Sequence, residues 1–231
     1  TGQKAEERVT EQPILEIDGV SKIYDGKWAA LQEVSLRLSR GEFALLVGPC
    51  GAGKTTLMRL ICGQERPTAG TIRVAGRDVG GMKNSQLPAL RRRLGIVFQD
   101  GKQLADRTIF ENIAFVLRAT GTRKKELTKR AVKALTLVGL AHKSRCLPGQ
   151  LSGGEQRKAA IARAIVNKPF LLLADEPTGN LDPAASREIL DLLTRINRFG
   201  TTVLLATHDT NLVRELDHRR IELLAGRLSQ G

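Results

Sequence analysis

The eight residues Gly48-Pro49-Cys50-Gly51-Ala52-Gly53-Lys54-Thr55 constrain this chain more than any other feature. They follow Phe43-Ala44-Leu45-Leu46-Val47, a short apolar run of the kind that forms a strand buried on both faces. A helical pattern then starts near Lys54 and continues through Ile61. Between a strand and a helix, the spacing G-x-x-x-x-G-K-[ST] builds a phosphate-binding loop. Its glycines let the backbone turn so that N–H groups point inward at an anion, and the helix N-terminus adds partial positive charge. Lys54 is expected to reach the β- and γ-phosphates of a nucleotide, and the Thr55 hydroxyl to coordinate Mg²⁺. The competing reading, a glycine-rich turn that happens to precede a lysine, does not explain the flanking strand and helix.

A second feature pairs with the first. Leu171-Leu172-Leu173-Ala174 leads into Asp175-Glu176, an apolar strand ending in two carboxylates. That places both acids at the C-terminal edge of the sheet, where α/β folds bind ligands. Asp175 is expected to hold Mg²⁺ through water, and Glu176 to orient or deprotonate an attacking water. A strand exit ending in acids is common by itself; next to a phosphate loop, the catalytic reading is the better one.

The remaining periodicities set these motifs in an α/β chain. Strand-like alternation appears at residues 15–18 and 34–38, with further strands at 71–75, 94–98, 202–206 and 220–224. Thr108 with Glu111, and Ser152 with Glu155, have capping-box spacing and open helices through Leu117 and Val166. A basic helix covers about 125–138 and stops at Gly139; Pro183–Arg198 is a helix, and 209–216 a short one. The order is β first, then a helix-rich middle at about 83–158, then alternating β and α, which reads as an α/β core with a helical insertion. Residues 1–13 are polar, mixed in charge and read as a flexible tail without a signal peptide, followed by one domain over 14–231.

The string Leu151-Ser152-Gly153-Gly154-Glu155-Gln156 resembles the signature of ATP-binding cassette (ABC) ATPases. Physically it is a second glycine-rich helix N-terminus with a capping Ser, able to meet an anion with backbone N–H groups. The resemblance implies a P-loop NTPase core with an antiparallel β subdomain and an inserted helical subdomain, hydrolysing Mg-ATP. In that family the signature faces the phosphate loop of a second, antiparallel subunit. It therefore implies a homodimer with ATP sandwiched between Gly48 through Thr56 of one chain and Ser152, Gly153, Gly154 and Glu155 of the other.

Further positions match the family one by one. Tyr24 stands where an aromatic residue stacks on adenine. Gln99 resembles the Q-loop glutamine that contacts Mg²⁺ and the attacking water. Asn180-Leu181-Asp182 resembles the D-loop that crosses the dimer interface, which puts Asp182 in the site. His208, in Ala206-Thr207-His208-Asp209, resembles the switch histidine on the γ-phosphate, while His142 and His218 read as structural. Cys50 replaces a residue that is usually Ser; the loop needs its backbone N–H, so nucleotide binding is expected to survive. Lys158 stands where the family often has Arg, with charge kept.

Leu60-Ile61-Cys62-Gly63-Gln64-Glu65-Arg66-Pro67, Phe98-Gln99-Asp100 with Asp106-Arg107-Thr108, and Ala164-Ile165-Val166-Asn167-Lys168-Pro169 narrow the resemblance to the bacterial cell-division branch. That branch implies an integral membrane partner that relays the ATPase cycle to peptidoglycan hydrolases, and a location at the cytoplasmic face of the inner membrane. A contact with a second division protein is also implied. The alternatives are the ATPase of a lipoprotein or macrolide-type exporter and a DNA-associated ABC ATPase.

Charge bears on that last alternative. Lys plus Arg is 37 and Asp plus Glu 24, a balance of +13 that suggests an anionic partner. The excess is local: 17 basic and 5 acidic residues between 83 and 158 make +12, while the flanking segments carry +1 and 0. DNA-associated members place long coiled coils or zinc modules between phosphate loop and signature; Lys54 and Ser152 are only 98 residues apart here, without sustained heptads or a cysteine cluster. No nucleic-acid partner is expected. The basic face reads as a solvated helix surface or as one turned toward anionic headgroups or an acidic partner segment. Three scattered cysteines make neither a disulfide framework nor a zinc site, and no apolar run approaches the length of a membrane span.

Overall fold

The computed structural model describes residues 12–98, 103–209, 212–213 and 216–229. Gln99, Asp100, most of the expected N-terminal tail and part of the expected helix at 209–216 lie outside the described residues.

The chain opens with an antiparallel layer. Strands β1 (Leu15–Tyr24) and β2 (Trp28–Leu38) form a hairpin, and β3 (Phe43–Val47) leads through the phosphate loop into α1 (Lys54–Ile61). Next come β4 (Ala69–Val74) and the two-residue β5 (Arg77–Asp78), which complete a four-stranded sheet of order β2-β1-β4-β5. The helix α2 (Leu87–Arg91) precedes β6 (Leu94–Val97). Three helices follow: α3 (Ile109–Ala119), α4 (Lys124–Leu137) and α5 (Gly153–Ile165). The chain then alternates through β7 (Leu171–Asp175), α6 (Pro183–Arg198), β8 (Thr202–Thr207), β9 (Arg219–Leu224) and β10 (Arg227–Leu228).

The second sheet has the order β10-β9-β3-β8-β7-β6. From β9 to β6 all pairings are parallel, so the chain crosses over between neighbours and both faces must be covered. The covering is visible in the alternation of the strands. Phe43, Leu45, Leu172, Ala174, Val203 and Leu205 point into a core shared with α3, α4, α5 and α6. Ala44, Leu46, Leu171, Leu173, Leu204 and Ala206 point into the opposite core, shared with α1, β1, β2 and β4. The apolar runs of β3, β7 and β8 are therefore continuous in sequence because each strand is buried on both faces.

The antiparallel strands are longer than their alternation suggests. The β1–β2 register shifts between Ile17 and Val20 and again near Lys22, so the inward side of β1 changes along its length. Tyr24, expected a few residues beyond the first strand, is its last residue and pairs with Trp28. The strands β5 and β10 and the helix α2 are too short to carry a period.

Both capping boxes form. Thr108 and Ser152 each accept from the N–H of the residue three positions on, and Glu111 and Glu155 reach back to the cap N–H. In α4, Leu127, Ala131, Ala134 and Leu135 are buried, while Lys124, Lys125, Lys129 and Lys133 are exposed. The stretch 83–158 holds α2, α3 and α4, but also β6, which is a strand of the parallel sheet paired with β7.

Candidate active site

Three loops converge because three parallel strands end side by side. The order β3-β8-β7 brings the phosphate loop, His208 and the Asp175-Glu176 pair to one sheet edge. Residues Cys50 through Thr56, Asp175, Glu176, His208 and Trp28 line a single cavity there.

The loop geometry explains its glycines. A Cβ on Gly48 would sit 2.1 Å from the Leu223 carbonyl oxygen, so no side chain fits between loop and β9. Gly53 caps α1 at φ 105°, and a Cβ there would meet the Ala30 carbonyl oxygen at 2.5 Å. No side chain caps α1, so its first-turn N–H groups remain available to an anion. Lys54 is buried; its Nζ donates to the carbonyls of Gly48 (2.6 Å) and Pro49 (3.1 Å). The ammonium is thereby folded over the loop mouth.

Asp175 is the last residue of β7 and is only 1% exposed. The Thr55 hydroxyl donates to its Oδ2 at 2.7 Å, while its Oδ1 is buried with no protein partner. Burial pushes the Asp175 carboxyl up, against the hydrogen bond from Thr55 that lowers it; neighbouring Glu176 adds to the rise. A buried carboxylate oxygen without a partner, beside a threonine hydroxyl, is the hard-oxygen donor set that suits Mg²⁺.

Glu176 follows directly, with a left-handed backbone at φ 47°, uncommon for a residue with a side chain. Its N–H donates to the Ala206 carbonyl at 2.9 Å, which ties the exit of β7 to β8. Its Oε1 lies 2.8 Å from His208 Nδ1 and 3.4 Å from Lys54 Nζ. One carboxylate thus joins the histidine and the phosphate-loop lysine.

The signature residues stand apart. Ser152, Gly153, Gly154 and Glu155 open α5 and line a different cavity with Asn180, Leu181 and Asp182. Asp182 caps α6, its Oδ1 accepting from the Ala185 N–H at 2.9 Å. Lys143 Nζ donates to Glu155 Oε1 at 2.6 Å; this bond first, and the Ser152 N–H second, hold the Glu155 carboxyl below its ordinary range. The linings of the two cavities share no residue.

Tyr24 ends β1, its hydroxyl donating to Glu65 and its ring stacked on Trp28 at 5.3 Å, and it does not line the phosphate-loop cavity. Trp28 and Lys143 escape the sequence reading. A tryptophan four residues after Tyr24, across an Asp-Gly turn, was the available signal for the first. Nothing marks Lys143 among its basic neighbours. Gln99, expected at the metal and the attacking water, lies outside the described residues.

Fold and site together define an α/β phosphate-loop ATPase. The chain belongs to the ABC transporter ATP-binding family, whose model, described as "ABC transporter", matches residues 31–179. A shorter match, 147–214, is to a model described as an AAA domain, putative AbiEii toxin. Among curated relatives, the cell division ATP-binding protein FtsE of Escherichia coli K12 is 49% identical over 218 residues, covering 94% of this chain and 98% of that protein. FtsE of Mycobacterium tuberculosis is 47% identical over 216 residues, covering 93% and 94%. Among solved structures, the dimeric post-hydrolysis ATP-binding cassette MJ0796 bound to ADP and Pi has a TM-score of 0.84 at 33% identity, covering 94% and 97%. CbiO1 of Clostridium perfringens, part of the ABC transporter complex cbiONQ, has a TM-score of 0.87 at 29% identity, covering 95% and 88%.

Proposed function

We propose that this chain uses ATP hydrolysis, as a homodimer, to change the conformation of an FtsX-like integral membrane protein and so control peptidoglycan hydrolysis in cell division. Its place would be the cytoplasmic face of the bacterial inner membrane, reached through that partner. Among the described residues no helix is long and apolar enough to cross a membrane. Similarity to FtsE proteins over nearly the whole chain supports the reading, and a contact with FtsZ belongs to it.

The separateness of the two cavities carries the dimer. A signature opening that lines its own cavity, sharing no lining residue with the phosphate-loop cavity, fits a site completed by a second chain, and the similarity to the dimeric MJ0796 cassette supports that arrangement. Lys54 and the loop N–H groups would bind the phosphates, and Ser152, Gly153, Gly154, Glu155 and Asp182 of the other chain would close the site. Thr55 and Asp175 would hold Mg²⁺, with Gln99 as a further ligand; the ion supplies positive charge against the phosphate oxygens. Glu176 would take a proton from the attacking water as its oxygen bonds the γ-phosphorus. The bond to the bridging oxygen breaks, and ADP leaves with the electron pair. His208 would hold the Glu176 carboxylate in place. ATP then favours the closed dimer and hydrolysis releases it.

Co-purification from native membranes, with and without ATP, tests the partner. An FtsX-like protein is expected. Recovery of an exporter permease, or of no membrane protein in either condition, would overturn the assignment.

A further inference from the structure

The signature cavity is lined with more acid than base. Glu155, Asp182 and Glu188 stand in its wall against one ammonium, Lys158, a formal balance of −2. That sum opposes a polyphosphate, which α5 can meet through the N–H groups of its first turn, at Gly153 and Gly154. Each carboxylate, however, is engaged. Lys158 pairs with Glu188 between α5 and α6. Asp182 accepts from the Ala185 N–H at 2.9 Å and so caps α6. Glu155 lies in the first turn of α5, beside those N–H groups, and both of its oxygens are taken. Its Oε2 accepts from the Ser152 N–H at 3.0 Å, and its Oε1 from Lys143 Nζ at 2.6 Å. Lys143 belongs neither to α5 nor to the cavity lining. It ends a short helical turn, Ala141–Lys143, that follows α4. The chain just beyond it is strapped to the start of α3: the Ile109 N–H donates to the Cys146 carbonyl at 2.9 Å, and the Phe110 N–H to the Ser144 carbonyl at 3.0 Å. The ammonium is therefore supplied by the helical insertion, from a segment fixed by backbone hydrogen bonds.

We infer that Lys143 is a positioning residue for the second half of the nucleotide site: it neutralises the Glu155 carboxylate and holds it back against its own cap, so that the signature opening can receive the polyphosphate carried by a second chain. With Lys143 included, the balance around the opening falls to −1. Without it, Glu155 would present an uncompensated negative charge beside the N–H groups that are to meet the phosphates, and like charges in a partly desolvated interface repel. The effect belongs to the step that brings two chains together, because Lys143 lines no part of the phosphate-loop cavity. Glu155, expected among the nucleotide-binding residues, then contributes through its backbone and its cap, with its charge cancelled. The inference rests on the ATP-sandwich reading.

Light scattering with Mg-ATP on the full chain carrying Glu176→Gln reads closure of the dimer, and calorimetry on the dilute chain reads binding to one subunit. Adding Lys143→Met is expected to raise the dimer dissociation constant about tenfold at low salt. The deficit should shrink at high salt, where the exposed charge is screened, and ATP affinity in the dilute chain should not move. Lys143→Arg should behave as the parent. Glu155→Gln combined with Lys143→Met should restore closure, because a neutral amide needs no counter-charge. An unchanged dissociation constant for Lys143→Met would overturn the inference. So would a double variant as weak as the single one, which would make Lys143 a strut for its own loop. A parent chain that stays monomeric with saturating Mg-ATP would remove the sandwich reading and the inference with it, an outcome separate from the other two.

Discussion

His208 Nδ1 meets Glu176 Oε1 at 2.8 Å, bridging the C-terminal ends of two neighbouring parallel strands. The same carboxylate oxygen stands 3.4 Å from Lys54 Nζ, so the candidate base is oriented from both sides of the cavity. Glu176→Gln keeps shape and hydrogen bonding but removes the proton acceptor. Steady-state hydrolysis should fall by roughly 10²–10⁴-fold, with ATP affinity retained. Light scattering should then show an ATP-trapped dimer; a monomer with saturating ATP would count against the sandwich arrangement.

Lys54 donates to two loop carbonyls and, among the described residues, is the one Lys or Arg that lines the phosphate-loop cavity. Lys54→Ala should weaken ATP by at least about tenfold, since a charge-assisted hydrogen bond contributes roughly 1.5–3 kcal/mol. Calorimetry returning the unaltered affinity would contradict the phosphate-loop assignment.

Asp175 carries an opposite pair of consequences. Its folded pKa is raised, chiefly by burial, so without metal folding shifts the group toward its protonated form relative to the unfolded chain. The group's contribution to stability is then complete below the ordinary Asp pKa and is lost as pH rises through the raised folded value. Asp175→Asn should remove that dependence and raise the melting temperature of the metal-free protein at neutral pH. It should also abolish the Mg²⁺ stimulation of nucleotide binding. Thermal melts across pH, with and without Mg²⁺, read both effects, and an unchanged pH profile would refute the first.

Cys50 is exposed and lines the nucleotide cavity. Quantitative alkylation should block ATP binding by filling that space, and ATP should protect the thiol. Full affinity after complete labelling, verified by mass spectrometry, would show that the side chain points clear of the ligand.

On α4, Lys125 is exposed, and Arg123 and Lys124 beside it are exposed too. Replacing all three with Gln should weaken association with anionic vesicles or with the membrane partner by on the order of a hundredfold at low salt, given about 1 kcal/mol per cation. ATP affinity should not move. Loss with vesicles and loss with partner alone identify which anionic surface is met; no loss with either leaves the face as plain solvated surface.

Not all of the basic excess behaves this way. Arg91 donates to the carbonyls of Cys62 and Gly63, Arg93 lies over the Phe170 ring, and Arg130 caps the end of α5 through the Val166 carbonyl. Counting charges located the segment but did not separate solvated lysines from arginines that tie elements together. That distinction depends on which carbonyls are left unpaired at helix ends, a property of packing.

The sequence alone determined the chemistry that is local to one turn of chain. Apolar runs buried on both faces marked β3, β7 and β8, and glycine spacing marked the phosphate loop. Ser152 and Glu155 marked a capped helix, because each of these signals rests on residues within a few positions of one another. What joins these pieces was decided by the tertiary structure. The order β3-β8-β7 places Lys54, Glu176 and His208 around one oxygen, although they come from residues 54, 176 and 208. Hairpin register turned Trp28, rather than Tyr24, onto the cavity wall. Sheet order and strand register follow from how two buried cores close on opposite faces, and no short window of sequence carries that information.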